Sequence, residues 1–236
     1  MARRLVWSSL FWLGMFLILI GLGTWQISRL HWKEGLIAER QAAVTGPPIP
    51  LPETIAAARG LEFHHVALSG EFLNQGELYL HAIDRGGNPG FHVVTPFRLK
   101  NGNVVLVDRG FVPENRRDPT TRRGGQLSGP VTVTGLLRLL GGDSGWFTPA
   151  NEPAENLWFT IDPAAMAKAD RLDRVLPVYV DADAAPLPGG LPIGGQTYAK
   201  LPNDHLQYAL TWYGLAAVCA IYYLLFVRGR VKERRV

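Results

Sequence analysis

Residues Leu5 to Trp25 read LVWSSLFWLGMFLILIGLGTW, and Leu206 to Val227 read LQYALTWYGLAAVCAIYYLLFV; neither stretch carries a charge. A hydrocarbon core about 30 Å thick takes ~20 apolar residues at ~1.5 Å rise each, so both stretches are long enough to span it as helices. A lone strand would leave its backbone groups unpaired in lipid, so helix is the form in which each crosses. The first stretch exceeds the apolar region of a cleavable signal peptide. It runs into Gln26-Ile27-Ser28-Arg29 instead of a small-x-small cleavage site, which predicts a retained anchor.

Outward from these stretches, Arg3 and Arg4 precede the first, while Arg228, Arg230, Lys232, Arg234 and Arg235 follow the second, opposed only by Glu233. Basic flanks stay cytoplasmic, so both termini are expected inside and the middle of the chain translocated. The expected layout is a cytoplasmic N-terminus 1–4, a first span 5–25, a periplasmic β-rich domain 26–204, a second span 205–227 and a basic cytoplasmic tail 228–236. The same flanking residues account for the net charge of +4, because the chain between them is slightly acidic. The basic balance therefore reports topology and attraction to an anionic lipid bilayer, not a nucleic-acid-binding face. Cys219 is the only cysteine, so no disulfide closes within the chain. The first span follows Met1-Ala2-Arg3-Arg4 with no Arg/Ser-rich amphipathic leader, which points to a bacterial inner-membrane protein.

The segment between the anchors has the length of one domain able to bury a core. Phe63–Leu68, Glu77–Ile83, Phe91–Leu99, Val104–Asp108, Val131–Leu137, Leu157–Ile161 and Val175–Val180 read as strands, and Asn101-Gly102 between two of them is a hairpin signal. Helix is predicted only over Glu53–Arg59 and over Pro163–Ala169 behind an Asp162 N-cap. No strand–helix alternation appears, which excludes a doubly wound parallel sheet. The expected fold is a membrane protein with two transmembrane α-helices flanking one mainly antiparallel β (α+β) extracytoplasmic domain, a sheet or partly closed barrel. Pro113–Pro130 reads as a long basic loop, and Ala182–Gln196 as a flexible tether before the second span.

Most chemical motifs reduce to structure. Gly142-Asp143-Ser144-Gly145 resembles a protease nucleophile loop but lacks a matching His context, so a periplasmic hydrolase using Ser144 is the weakest reading. His64 and His65 are adjacent and point to opposite faces of a strand; with His81 and His92 they read as surface or strand-edge residues, not metal ligands. Asp108-Arg109-Gly110 reads as a charged strand end turning through glycine, with a salt-bridged anion contact as the alternative.

The membrane boundary is richer. Trp25, Arg29 and Trp32 share one helical face, and His205, Tyr208 and Trp212 occupy the same relative positions on the second span. An aromatic belt with a basic anchor explains the rings. It explains His205 poorly, because a titratable group at the start of a span marks a functional site. The second reading is a haem site: His205 on the iron, the rings flanking the porphyrin, Arg29 or Lys33 on its propionates, and an isoprenoid tail in lipid.

Four motifs in order carry a family resemblance: Trp25-Gln26-x-x-Arg29-x-x-Trp32-Lys33, Gly90-Phe91-His92-Val93-Val94-Thr95-Pro96-Phe97, Val105-Leu106-Val107-Asp108-Arg109-Gly110-Phe111-Val112-Pro113, and Asn203-Asp204-His205-Leu206-Gln207-Tyr208-Ala209-Leu210-Thr211-Trp212-Tyr213. Together they resemble the surfeit-locus cytochrome c oxidase assembly family; Phe111 stands where many relatives carry Trp. The resemblance implies a non-enzymatic factor that aids insertion of haem a into the catalytic subunit of a haem–copper terminal oxidase, with that subunit and the haem a synthesis enzyme as partners. It puts the family's proposed haem-binding histidine on His205, in agreement with the reading of the membrane boundary, which places Tyr208, Trp212, Trp25, Arg29 and Trp32 around it. The alternative it leaves is a cofactor-free membrane scaffold that binds oxidase subunits.

Overall fold

A computed structural model describes residues 2–84, 86–139, 147–197 and 201–232. The Gly142–Gly145 motif with its Ser144, and Arg234 and Arg235 of the basic tail, lie outside the described residues. The chain divides into two units, Met1–Glu39 with Lys200–Val236, and Arg40–Ala199.

The first unit is built on two helices, α1 (Ala2–Thr45) and the last helix of the chain, His205–Lys232. Both are long and apolar enough to cross a membrane. α1 continues past its apolar stretch because no proline interrupts it until Gly46-Pro47-Pro48, where two residues that cannot continue a helix stop it. The two helices run antiparallel, since residues rising along one meet residues falling along the other. Thr24 Oγ1 lies 3.2 Å from the Tyr213 hydroxyl, and Tyr223 donates to Ser9 Oγ at 2.7 Å. Trp12 and Tyr222 stack between these contacts, with ring centroids 5.2 Å apart. Ala209, Ala216 and Cys219 are the buried small residues of the later helix, and Gly23 is buried on α1. Small residues let backbones approach where lipid offers no hydrophobic drive to association.

A Cβ on Gly23 would lie 2.6 Å from Tyr213 Cε1. Gly23→Leu is therefore expected to cost on the order of 2 kcal/mol of helix pairing through overpacking. Thermal unfolding in detergent, followed by circular dichroism at the helix band, reads this out; the added Leu should lower the midpoint of the helix pair.

The second unit is a β-structure. Its elements in chain order are β1 (Ile49–Pro50), α2 (Ile55–Ala58), β2 (His65–Phe72), β3 (Leu78–Ile83), β4 (Pro89–Leu99), β5 (Val104–Pro113), β6 (Val131–Leu139), β7 (Leu157–Trp158), α3 (Pro163–Ala169) and β8 (Val175–Ala182); the helix His205–Lys232 is α4. The neighbours β2-β6-β8-β5-β4 close on themselves through a β2–β4 pairing, giving a five-strand barrel. All its pairings are antiparallel except β5 with β8. This ring, with one parallel closure between its third and fifth strands, is the Greek-key connectivity of the OB-type barrel. β3 and β7 extend the sheet beyond it from the first half of β4, and β1 lies parallel beside β2.

Predicted and observed elements agree closely over β3, β4, β6 and α3. The Asp162 side chain caps α3, accepting from the Ala164 and Ala165 amides at 3.0 Å each. β5 is longer than the expected Val104–Asp108 and continues to Pro113. It alternates between two covered faces, which is why it reads as a continuous apolar run. Val105 and Val107 point into the barrel with Phe97, Leu137, Val178 and Val180. Leu106 points outward under Trp158, Ile161, Met166 and Tyr179, contributed by α3, β7 and their neighbours.

Two loop expectations need correction. Ala182–Gln196 is not a free tether: Ile193 exchanges backbone hydrogen bonds with Phe111 at 2.9 and 3.0 Å, so the segment lies against β5. Pro113–Pro130 is not merely a basic surface loop, because it folds into short 3₁₀ turns over Glu114–Arg116 and Pro119–Gly125 and buries Arg122.

Candidate functional site

α4 begins at His205, and this residue is tied across to α1: its Nδ1 bonds to the Gln26 side-chain oxygen at 2.7 Å. Gln26 is 8% exposed, and Ala209, one turn along α4, is fully buried. An amide oxygen only accepts, so in the neutral imidazole Nδ1 carries the proton and Nε2 keeps its lone pair. That tautomer is the one a metal-binding imidazole needs, with the second nitrogen fixed by an acceptor. Two residues earlier, Asn203 Oδ1 is buried with no hydrogen-bond partner among the described residues.

The other expected site residues are more open. Trp25, Trp32 and Tyr208 are each more than half exposed, and Trp212 is half-buried. The Arg29 guanidinium lies 4.1 Å above the Trp32 ring. The helix pair thus joins His205 to Gln26 and Arg29 to Trp32, and leaves the remaining rings on the helix surface. The sequence alone gives Gln26 no role; its place beside Trp25 at the membrane boundary is the one signal for it.

Within the β unit His81 is exposed as expected, whereas His65 and His92 are drawn inward into pairs with aspartates. His92 Nδ1 lies 2.7 Å from Asp108 Oδ2, both largely buried. Burial alone would lower this imidazole's pKa; the hydrogen bond and charge of Asp108 outweigh it and hold it above the usual value. His65 meets Asp183 at 2.6 Å, and His81 lies beside Phe159, ring centroids 5.7 Å apart. Among the described residues no group of three or more His, Cys, Asp or Glu converges as a metal site.

Asp108-Arg109-Gly110 does not end its strand. Its two charges serve opposite faces: Asp108 turns to His92, and Arg109 joins a buried cluster with Glu77 and Arg122. Arg109 Nη1 is 3.7 Å from Glu77 and its guanidinium also donates to the Gly125 carbonyl. Burial pulls Arg109 down to about 10 despite the attraction of Glu77.

Two antiparallel apolar helices carrying an oriented histidine, with an OB-type barrel in the same chain, define a two-span membrane protein with a small β domain. Residues 13–217 match the model of the SURF1 family, and the chain belongs to that family. It is similar to surfeit locus protein 1 of Mus musculus, 42% identical over 234 residues covering 90% of this chain and 75% of that one. The Homo sapiens protein of the same name is 39% identical over 89% of this chain and 74% of its own. A SURF1-like protein of Monosiga brevicollis is also 39% identical, over 89% of this chain and 85% of its own length.

Proposed function

We propose that this protein is an assembly factor for cytochrome c oxidase that receives haem a at the junction of α1 and α4 and passes it toward the oxidase catalytic subunit. The assembly role rests on membership of the family. The haem reading rests on one observation, the 2.7 Å bond from His205 Nδ1 to Gln26, which frees Nε2 for iron. Haem a is cargo in this reading, and its iron supplies the bond that His205 holds. Trp25, Trp32, Tyr208 and Trp212 offer flat apolar surface for a porphyrin, and Arg29 or Lys33 a cation for its propionates. An enzymatic step is no part of the proposal. The orientation that suits it keeps both basic termini in the cytoplasm of a bacterial cell and the barrel in the periplasm.

Protein purified in detergent from cells that make haem a should carry a haem absorbance spectrum. His205→Ala should lose it, and Gln26→Ala should weaken haem retention ~10-fold, the scale of a lost orienting partner. A wild-type protein free of haem, or an unchanged spectrum in His205→Ala, overturns the haem reading. Co-purification with the catalytic subunit that persists in such a haem-free protein favours the scaffold instead.

A further inference from the structure

Strand periodicity puts a second polar constellation on the outer face of the barrel. Along β5 the outward residues are Leu106 and then Asp108; along β8 their register partners are Tyr179 and Asp181. Leu106 and Tyr179 sit in an apolar cluster. One step further along both strands the same face turns acidic. β4 adds His92, β3 adds Leu80, and β6 adds Arg138, opposite Tyr179. The segment around Phe159 and Ile161 and the Thr197 side chain close the far side, leaving a cavity of about 330 Å³. That is within the ~300–1,000 Å³ range of small-molecule sites.

The groups facing this space do not satisfy one another. Asp108 is engaged by His92 and by the Gly110 amide at 2.9 Å. Asp181 accepts from Arg138 Nη1 and Thr197 Oγ1, each at 2.8 Å and both at its Oδ2, so its Oδ1 has no partner among the described residues. Arg138 is shared with a further carboxylate, its Nε lying 3.5 Å from Glu62. Two buried carboxylates, Asp108 and Asp181, thus face the cavity with one guanidinium and one imidazole, and Glu62, which is 42% exposed and outside the lining, draws on the same guanidinium. Burial, with Asp108 close by, pushes Asp181 up to about 6, as an under-neutralised acid should behave. The second independent sign is Tyr179, which is 3% exposed, lines the cavity, and has no hydrogen-bond partner for its hydroxyl among the described residues. Burial raises that phenol's pKa, so it keeps its proton at neutral pH.

We propose that this cavity binds a small organic cation, an alkylammonium whose charged head meets Asp181 and the Tyr179 hydroxyl and whose body lies against Leu80, Phe159 and Ile161. An anion would meet the two aspartates, while Arg138 Nη1 is held by Asp181 and its Nε, without a hydrogen bond among the described residues, is closed to solvent. A bare divalent metal would lack ligands, since hard cations take about six to eight oxygens. The Phe159 ring suits an ammonium, which is attracted to ring faces, whereas the Tyr179 ring already carries the Arg138 guanidinium at 5.5 Å and offers its hydroxyl. A zwitterionic lipid headgroup would bring its phosphate against the same carboxylates, so the ligand is a free amine. The site is independent of His205 and stands or falls separately from the haem reading.

The test uses the full chain in non-ionic detergent at constant ionic strength. n-Propylammonium chloride should raise the thermal midpoint by several degrees, saturably over the low-millimolar range, as ligand binding to the native state requires. Matched sodium chloride, 1-propanol and O-phosphoethanolamine should not. Asp181→Asn, which keeps an acceptor for Arg138 and Thr197, should weaken the response at least ~10-fold, the loss of a charged partner. If that variant does not fold, Tyr179→Phe keeps the ring and takes its place, with a ~5-fold weakening expected from one lost hydrogen bond. An equal response to 1-propanol or sodium chloride, no saturable response in the wild type, or an undiminished response in the folded variant overturns the proposal. A shift with O-phosphoethanolamine equal to that with the amine also overturns it, in favour of a lipid headgroup site.

Discussion

Glu77→Ala should destabilise the barrel by roughly 3–5 kcal/mol, the cost of breaking a buried ion pair by removing one partner. Glu77 is 5% exposed and stands just ahead of β3. Both terminal nitrogens of Arg122 donate to its carboxylate, one at 3.0 Å and one closer, and Gln126 Nε2 adds a third bond at 2.8 Å. Arg109 approaches the same oxygen at 3.7 Å. One carboxylate thus balances two guanidiniums that are 4% and 5% exposed. Truncating it leaves both charges buried without a counter-ion, and each keeps only neutral acceptors: Asn74 Oδ1 and the Gly125 carbonyl for Arg109, the Arg116 and Arg117 carbonyls for Arg122. Glu77→Gln keeps an acceptor and should lose less. Arg122→Ala added to Glu77→Ala should recover part of the loss, because the double variant removes one of the two stranded charges. Chemical denaturation of the purified protein, followed by a signal from the β unit, gives all three values.

The same cluster sharpens the scaffold alternative. Its most direct test, cutting back Pro113–Pro130, would also remove Arg122 from Glu77. Loss of oxidase association would then report a damaged barrel as readily as a lost docking surface. Arg116→Ala and Arg123→Ala, both outside that ion pair, are the cleaner substitutions.

What the chain declares locally, it declares well. The spans are legible because lipid imposes one length and one backbone form. The hairpin of β4 and β5 is legible from Asn101-Gly102, and the start of α3 from Asp162 ahead of Pro163. Distant pairings are not. Arg122 looks like surface charge because its partner lies 45 residues earlier. Gln26 looks like boundary filler because its bond to His205 spans 179 residues and depends on how two helices pack. Ala182–Gln196 looks free because glycine and proline describe which bends a chain can take, not what it rests on. His92 illustrates the limit in the other direction: its placement in a strand was readable, but the cover that turns its face into a cavity comes from Phe159 and Thr197.

Gly110→Ala should be the most damaging substitution of comparable size, at roughly 3 kcal/mol, adding backbone strain to lost hydrogen bonds. Gly110 sits inside β5 at φ +110, a conformation that L side chains rarely adopt. A Cβ there would also overlap the Ile193 carbonyl, the acceptor of the Phe111 amide. The strain cannot be relieved in place, so the segment around Ile193 must lift from β5. Lifting it loosens the path to Thr197, whose hydroxyl holds Asp181, and the twist of Gly110 itself carries the amide that bonds Asp108. Gly129→Ala is the control, since Gly129 has φ +77 but open space around it, and should cost only about 1 kcal/mol from conformation alone. Amide hydrogen exchange distinguishes the two. In Gly110→Ala, Phe111 and Ile193 should lose protection together while the barrel strands facing away from them keep theirs. Retained protection at both amides would mean that β5 holds the segment by something other than this close approach.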